Sequence, residues 1–414
     1  MIDINSQSIR RAGGVVALVF VSSVHLGAQQ PVTRADAARA AFAAGTRVAL
    51  ARADTAAALA RLLTARALPN PVLSASYSKS TPQKHVTLDI PVFDALWNRA
   101  ARLGQASASA HASRLVFASE RLAAMVEVDT TYTRALAAHA RFRLSRQTAL
   151  DADSLRKMTE RRRDAGDASD LDVDLATVVA GQQTNTTAND SLSYMSALLT
   201  VQTLMGIPAD SVAIVLADSL VLTPADSAVA RVAPVPSNML ATPSIMAAEA
   251  SLQAAEQGIA LQKRSAIPLP SLSIGFEQGD PSEPGILPLI GFAVPLPFFN
   301  RNQGPIAEAS AERDRARVQL TAARLEARQR LVEGTRERDA LLAKLVRDRD
   351  LVVRADRVAA RSLTAYREGA AALPAVLEAR RSAREVLGQY IDDLAALLTV
   401  NTELRALTQT VQVP

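Results

Sequence analysis

Two short parts of the chain alternate apolar and polar residues, and nearly all the rest repeats at a helical period. In the first, Leu73, Ala75 and Tyr77 alternate with Ser74, Ser76 and Ser78, and Val86, Leu88 and Ile90 alternate with Thr87 and Asp89. This period of two predicts strands over 72–80 and 85–93, joined by the turn Thr81-Pro82-Gln83. In the second, Leu272, Ile274 and Phe276 alternate with Ser273 and Gly275, predicting strands over 271–278 and 286–294 around the turn 280–285. Helices are predicted over 33–66, interrupted at Gly45, and over 98–164, 169–206, 244–266, 305–368 and 374–410. At about 1.5 Å per residue, the helix over 98–164 is roughly 100 Å long. It stops at Gly166, which can take the left-handed conformation after a helix, and Ser169 and Asp172 have capping-box spacing for the next.

The same order of elements occurs twice. Gly369 follows Gly166 by 203 residues, and at that offset Val376 matches Val173 and Ala379 matches Ala176. Pro295 follows Pro91 by 204 and Pro270 follows Pro71 by 199, so the offset changes only in turns, where insertions are tolerated. The expected divisions are 1–28, a first repeat over 29–206, a connector over 207–243 and a second repeat over 244–414.

A duplicated helix-strand-strand-helix unit supplies four strands of about nine residues, close to what a tilted strand needs to cross a bilayer. Four strands cannot close, and an open sheet in lipid leaves edge N–H and C=O groups unpaired. Closure takes at least about eight strands, so transmembrane strands require several copies, and three would give twelve. On the last long helix but one, Val318, Leu325, Val332, Val346 and Val353 share a seven-residue frame broken by Asp339, which predicts side-by-side helix packing in water. The expected fold is therefore mainly α with a small transmembrane β part: a long α-helical barrel continuing a 12-stranded β-barrel formed by a trimer.

Composition narrows the compartment. The chain is 49% apolar but only 4% aromatic, which suits long Ala/Leu helices. Its net charge of +5 comes from Arg scattered among Asp and Glu, unlike the clustered basic face of a nucleic-acid reader. Arg10 and Arg11, an apolar run over 12–24 and Leu26-Gly27-Ala28 form the three parts of a secretory signal cleaved after Ala28. The apolar run is too short to span a bilayer, and no other stretch reaches about 18 apolar residues, so any span must be β. The absence of Cys excludes disulfides and acylation at a cysteine.

Specific residues add a resemblance. Asn70-Pro71 ahead of the first strand, Tyr366-x-x-Gly369 followed by Val376-Leu377-Glu378-Ala379, and Val294-Pro295-Leu296-Pro297-Phe298-Phe299-Asn300-Arg301-Asn302-Gln303-Gly304 carry it. Over nearly all of its expected mature length the chain resembles the TolC-like outer-membrane efflux ducts. The last motif looks like the branch serving heavy-metal pumps of the resistance-nodulation-division type. The resemblance implies a homotrimer in outer-membrane lipid, whose periplasmic tips meet an adaptor protein and, through it, an inner-membrane pump. It places Glu378 at a position where family members carry pore-ringing carboxylates, and Ala375 at another where acid is common. It puts Gly166, Ser169, Asp170, Asp172, Gly369 and Leu373 at the tip and adaptor contact. Pro91, Phe93, Pro295, Pro297, Asn300 and Gly304 form the strand-helix joints.

Other chemistries find little support. Asp170, Asp172 and Asp174 suggest a calcium loop, but Leu175 stands where the loop needs Gly and Gly181 where it needs Glu. They fit the first turn of a helix better, where its dipole favours acid. His85, His111 and His139 lack the i, i+4 spacing of a helical metal site. Trp97 and Tyr77 suit membrane interfaces. There is no nucleophile elbow, phosphate loop or dinucleotide fingerprint, so neither catalysis nor a cofactor is expected. Two alternatives stay open: a duct for protein secretion by an ABC exporter, and a secreted coiled-coil protein that spaces envelope layers.

Overall fold

The computed structural model describes residues 31–211, 214–222, 242–283 and 285–408. The expected signal segment and much of the expected connector lie outside the described residues.

The first half begins with β1 (Pro31–Val32), α1 (Arg34–Ala44) and α2 (Thr46–Arg66). Thr33 caps α1, its hydroxyl accepting from the Asp36 N–H while Asp36 returns the bond to the Thr33 backbone. The hairpin β2 (Val72–Tyr77) and β3 (Lys84–Ile90) leads through the short α3 (Val92–Trp97) into α4 (Arg99–Asp164), then α5 (Asp170–Leu204) and β4 (Val215–Leu216). The second half repeats it: α6 (Pro243–Ser265), β5 (Ser271–Gln278), β6 (Ile286–Ala293), α7 (Gln303–Arg367) and α8 (Leu373–Thr408).

Strand lengths fall short of the expected nine residues in three places. β2 closes at Tyr77, and one more bond in the same register, from the Ser78 N–H to the Gln83 carbonyl at 2.8 Å, leads into the turn. β3 ends at Ile90, not 93, because Pro91 has no N–H for the ladder and instead sits at the start of α3. Phe93 is consequently helical. β6 stops at Ala293, one residue before the expected end, ahead of Pro295.

The four strands form one antiparallel sheet in the order β2-β3-β5-β6, so the two repeats join at β3 and β5. Below it, α4 and α7 each run the length of the helical part, with 66 and 65 residues. Shorter helices stack end over end beside them. Near the sheet α2, α4, α6 and α7 pack in that order, and further down α5, α4, α8 and α7 do so.

The contacts are small-residue contacts, in keeping with the scarcity of aromatics. Ala112 and Leu115 of α4 meet Ala247, Ala250 and Ala254 of α6. Ile245 of α6 meets Leu320 and Ala327 of α7, and Leu345 of α7 meets Leu394 and Leu397 of α8. The largest core lies at mid-length, where α1, α4, α5 and the β1–β4 pair converge around Tyr132. Tyr132 is fully buried and donates its hydroxyl to the Val32 carbonyl at 2.8 Å, while burial pushes its pKa up to about 12.

Candidate functional site: a two-faced sheet, two open edges and a tied tip

Register across the sheet turns four local alternations into two continuous faces. Leu73, Leu88, Ile274 and Ile290 stand in one row, and Ala75, Val86, Phe276 and Pro288 in the next. Pro288, which has no N–H to donate, lies on β6 at the edge of the chain's own sheet. This apolar face is uncovered: Ile290 and Phe292 are each 78% exposed. The opposite face carries Ser74, Thr87 and Gly275 in one row and Ser76, His85 and Glu277 in another. His85 Nδ1 lies 3.1 Å from Glu277 Oε1, and the Ser273 hydroxyl donates to Asp89. A residue on one face therefore has an immediate neighbour in sequence on the other.

Both ends of the strand order are open, and so are both ends of the helix order. The seven-residue frame on α7 is not the seam used inside the chain. Ala309, Ala316, Leu320, Ala327 and Leu345 face the neighbouring helices, while Val318 and Val346 of the frame are 68% and 69% exposed. Side-by-side packing of α7 against α6 and α8 is present, but it uses residues such as Leu320, Ala327 and Leu345 rather than the seven-residue frame, which marks a second, exposed apolar stripe. At the other edge, Leu171, Val178, Leu192 and Leu199 of α5 are exposed on their own seven-residue frame, broken by Asn185. Two apolar stripes face away from each other across one layer.

At the tip, all four lower helices meet over Leu155, Ala176, Tyr366, Leu373 and Val376. Tyr366 ties the repeats together. Its hydroxyl is 3.0 Å from Thr159 Oγ1, and the Arg162 guanidinium lies 4.6 Å from its ring centroid and donates to its carbonyl. Gly166 and Gly369 both close their helices with positive φ, +86° and +76°, as the left-handed stop requires.

The expected tip residues divide. Ser169 caps α5 and the Asp172 carboxylate accepts from its N–H and hydroxyl, so the predicted capping box is present. Asp170 is exposed with Arg163 at 3.9 Å, and Glu378 and Ala375 are exposed on α8. Leu373, expected at an adaptor contact, is 1% exposed and belongs to the tip core. Arg162 was not anticipated, since the run Arg161-Arg162-Arg163 does not distinguish its members.

The joints are built differently from one another. Pro91 precedes α3, and Phe93 is 46% exposed on it. After β6, Pro295 and Pro297 carry the chain to Asn300, whose side-chain oxygen accepts from the Asn302 N–H at 2.9 Å. Asn302 has φ 61° and donates its side-chain amide to the Gln262 carbonyl at 2.7 Å, which pins the joint to α6. Gly304 already lies within α7, which starts at Gln303, two residues ahead of the expected 305.

One buried polar group lies midway down the α7–α8 pair. Asp348 and Asp393 are buried together, and Lys344 Nζ donates to Asp393 at 2.8 Å. Burial, then the neighbouring Asp393 carboxylate, pushes Asp348 up. Burial also acts to raise Asp393, but Lys344 and Gln389 outweigh it and hold that carboxyl down. Among the described residues no cluster of three or more His, Asp or Glu could hold a metal, and no helix is long and apolar enough to cross a membrane.

Residues 44–207 and 237–409 match the protein family described as outer membrane efflux protein. No curated protein matches the chain. Among solved structures, a membrane protein from Pseudomonas aeruginosa is similar over 97% of this chain and 96% of its own, with 19% identity and a TM-score of 0.75. The outer membrane protein VceC of Vibrio cholerae matches 90% of this chain and 95% of its own, at 17% identity and a TM-score of 0.73. The CmeC outer membrane channel of Campylobacter jejuni covers 98% of this chain and 93% of its own, at 12% identity and a TM-score of 0.73. At these identities the likeness is one of fold.

Proposed function

We infer that this chain, which belongs to the outer membrane efflux protein family, is the passive outer-membrane duct of a tripartite pump. Family membership makes it an outer-membrane channel protein rather than an enzyme. The observation that carries the finer reading is the uncovered apolar face on an open four-stranded sheet, set above a helical layer with apolar stripes on both outer edges.

A sheet edge in lipid must be paired. β6 of one copy can meet β2 of the next, while the α7 stripe meets the α5 stripe of that same neighbour. Such a head-to-tail contact closes into a ring. Three copies give about twelve strands, enough for a water-filled barrel lined by the Ser, Thr, His85 and Glu277 face. The segment over 1–28 then serves as a cleaved export signal. A periplasmic adaptor meets the tip around Gly166, Ser169, Asp170 and Gly369, and an inner-membrane resistance-nodulation-division pump supplies the energy. Asp172 and Leu373 shape that tip from within.

Purified protein in detergent is expected to run as a heat-sensitive trimer and to form open-channel steps in planar bilayers. A water-soluble, elongated monomer without conductance would refute the duct and favour an envelope spacer. Three exposed Glu378 side chains would ring the periplasmic mouth and favour cations. Glu378→Gln should lower cation selectivity in single-channel recordings, and unchanged conductance and selectivity would remove Glu378 from the gate. With Ala375 at the neighbouring position, the ring carries fewer charges than an acidic residue there would give.

Heavy-metal cations are the proposed cargo, on the strength of the 294–304 motif. A deletion strain more sensitive to divalent metals than to organic drugs supports it, and the reverse result would assign a drug pump. Loss of a secreted protein instead would point to an exporter of polypeptides.

A further inference from the structure

Several arginines of the lower helices have carboxylate partners: Arg156 meets Asp153 and Glu160, Arg141 meets Asp392, and Arg381 meets Glu385. Arg380 and Arg384 of α8 do not. They stand one turn apart on one helix face with Leu377 and Leu387, and both are half-buried. No Asp or Glu oxygen among the described residues lies within 4.0 Å of either guanidinium. Arg380 donates to the backbone carbonyl of Asp151 at 3.1 Å, while the carboxylate of that residue accepts from Gln147 at 3.0 Å. Arg384 donates to the Arg380 carbonyl of its own helix at 3.2 Å. Burial holds both guanidinium pKa values below the ordinary one. Next in weight at Arg384 is the like charge of Arg380, which lowers it further, while the Asp151 charge pulls both the other way.

These two side chains help to line a cavity of about 360 Å³ walled by all four lower helices. Leu144 of α4, Val179 of α5, Leu363 of α7 and Leu387 of α8 make its lining largely apolar. Asp151 and Asp356 also border it, but both are exposed to water, where their charges are screened. A concave, mainly apolar space with a few charged donors is how small-molecule sites are built, and its volume lies near the lower end of their range of roughly 300–1,000 Å³. A guanidinium pair selects an oxyanion, which arginine can hold through two N–H groups at once. Leucine walls select an apolar body attached to that oxyanion.

We propose that this cavity binds a small amphiphilic organic anion, its carboxylate or sulfonate held between Arg380 and Arg384 and its apolar body packed on the surrounding leucines. Two walls come from the first repeat and two from the second, so the bound anion ties the repeats together beside the tip core. Every group involved belongs to one chain, and the site does not depend on the ring.

The test is equilibrium dialysis of the full-length protein in non-ionic detergent against naphthalene-2-sulfonate; uptake by micelles is common to all variants and cancels. Saturable binding of one probe per chain is expected. Arg380→Gln combined with Arg384→Gln should weaken it at least about tenfold. Ala383→Leu, which fills the cavity and keeps both charges, should weaken it comparably, whereas Arg381→Gln should bind as the unaltered protein does. At ten times its Kd, the probe should slow amide exchange over 144–155 and 377–387 by up to about tenfold. Unaltered affinity in either the double variant or Ala383→Leu, or no saturable uptake by the unaltered protein, would overturn the site. Inorganic sulfate that binds as tightly as the sulfonate would leave the leucine walls without a part and overturn the amphiphile.

Discussion

Substituting Lys at two consecutive residues of β6 should give opposite outcomes. Ile290 stands in the row of Leu73, Leu88 and Ile274, 78% exposed on the apolar face and central in the strand Ile286–Ala293. Leu289 pairs with Gly275 on the face that carries Ser74 and Thr87. A Lys near the bilayer midplane on a lipid-facing strand costs about 2–4 kcal/mol, so three copies in a ring would lose about 6–12 kcal/mol in Ile290→Lys. That loss is comparable to the whole stability of an ordinary domain. Leu289→Lys places the same charge toward water and should cost less than about 1 kcal/mol per copy. The assay is the yield of heat-sensitive trimer after refolding into detergent, followed by the temperature at which it dissociates. Near-complete loss of trimer is expected for Ile290→Lys and near-normal yield for Leu289→Lys. Equal behaviour of the two, whether both tolerated or both lethal, would refute the assignment of the faces.

Three further outcomes follow from the helical part. Leu373→Ala should open a cavity in the tip core, costing about 2–5 kcal/mol, and speed amide exchange locally around 366–376 while the mid-length core keeps its protection. Arg162→Met removes the guanidinium from the Tyr366 ring and carbonyl; a loss of about 1–3 kcal/mol should appear as faster proteolysis of the tip, and an unchanged cleavage rate would deny Arg162 that role. Asp348 keeps its proton to higher pH in the folded chain than in the unfolded one. Its favourable contribution is therefore full below the ordinary carboxylate range and fades as pH rises through the raised value. Asp348→Asn should accordingly be near neutral in acid and stabilising by on the order of 1 kcal/mol at neutral pH, read from thermal unfolding at both.

The elements most legible in the sequence were those fixed by local chemistry. The alternation over 271–278 gave β5 to the residue, and Ser169 with Asp172 announced the start of α5. The repeat was visible because both halves place a helix-stopping glycine and a strand-ending proline at nearly constant separation. The sheet order was not readable, since nothing local to Val86 indicates that Phe276 lies beside it. Nor was the α7 frame assignable to a partner: a period of seven says that a face is apolar, not which neighbour covers it. The pinning of Asn302 by Gln262 joins residues 40 apart and depends on a left-handed backbone that polar side chains only permit. At the tip, Leu373 was expected at an adaptor contact because the resemblance assigns it by position, whereas it is buried with Tyr366. Their burial follows from four helices ending at one level.

The sheet contributes an even number of strands, each antiparallel to the last. Parity has a consequence for assembly. When the last strand of one copy meets the first of the next, the up-and-down order carries on unbroken, whether two, three or four copies close the ring. A unit with an odd count would force a parallel mismatch at some seams or all of them. The strands therefore do not count the copies. In the proposed ring that decision would fall to the angle at which two long, alanine-rich rods can lie against each other, so stoichiometry should respond to side-chain size along α5 and α7 and be indifferent to changes within the hairpins.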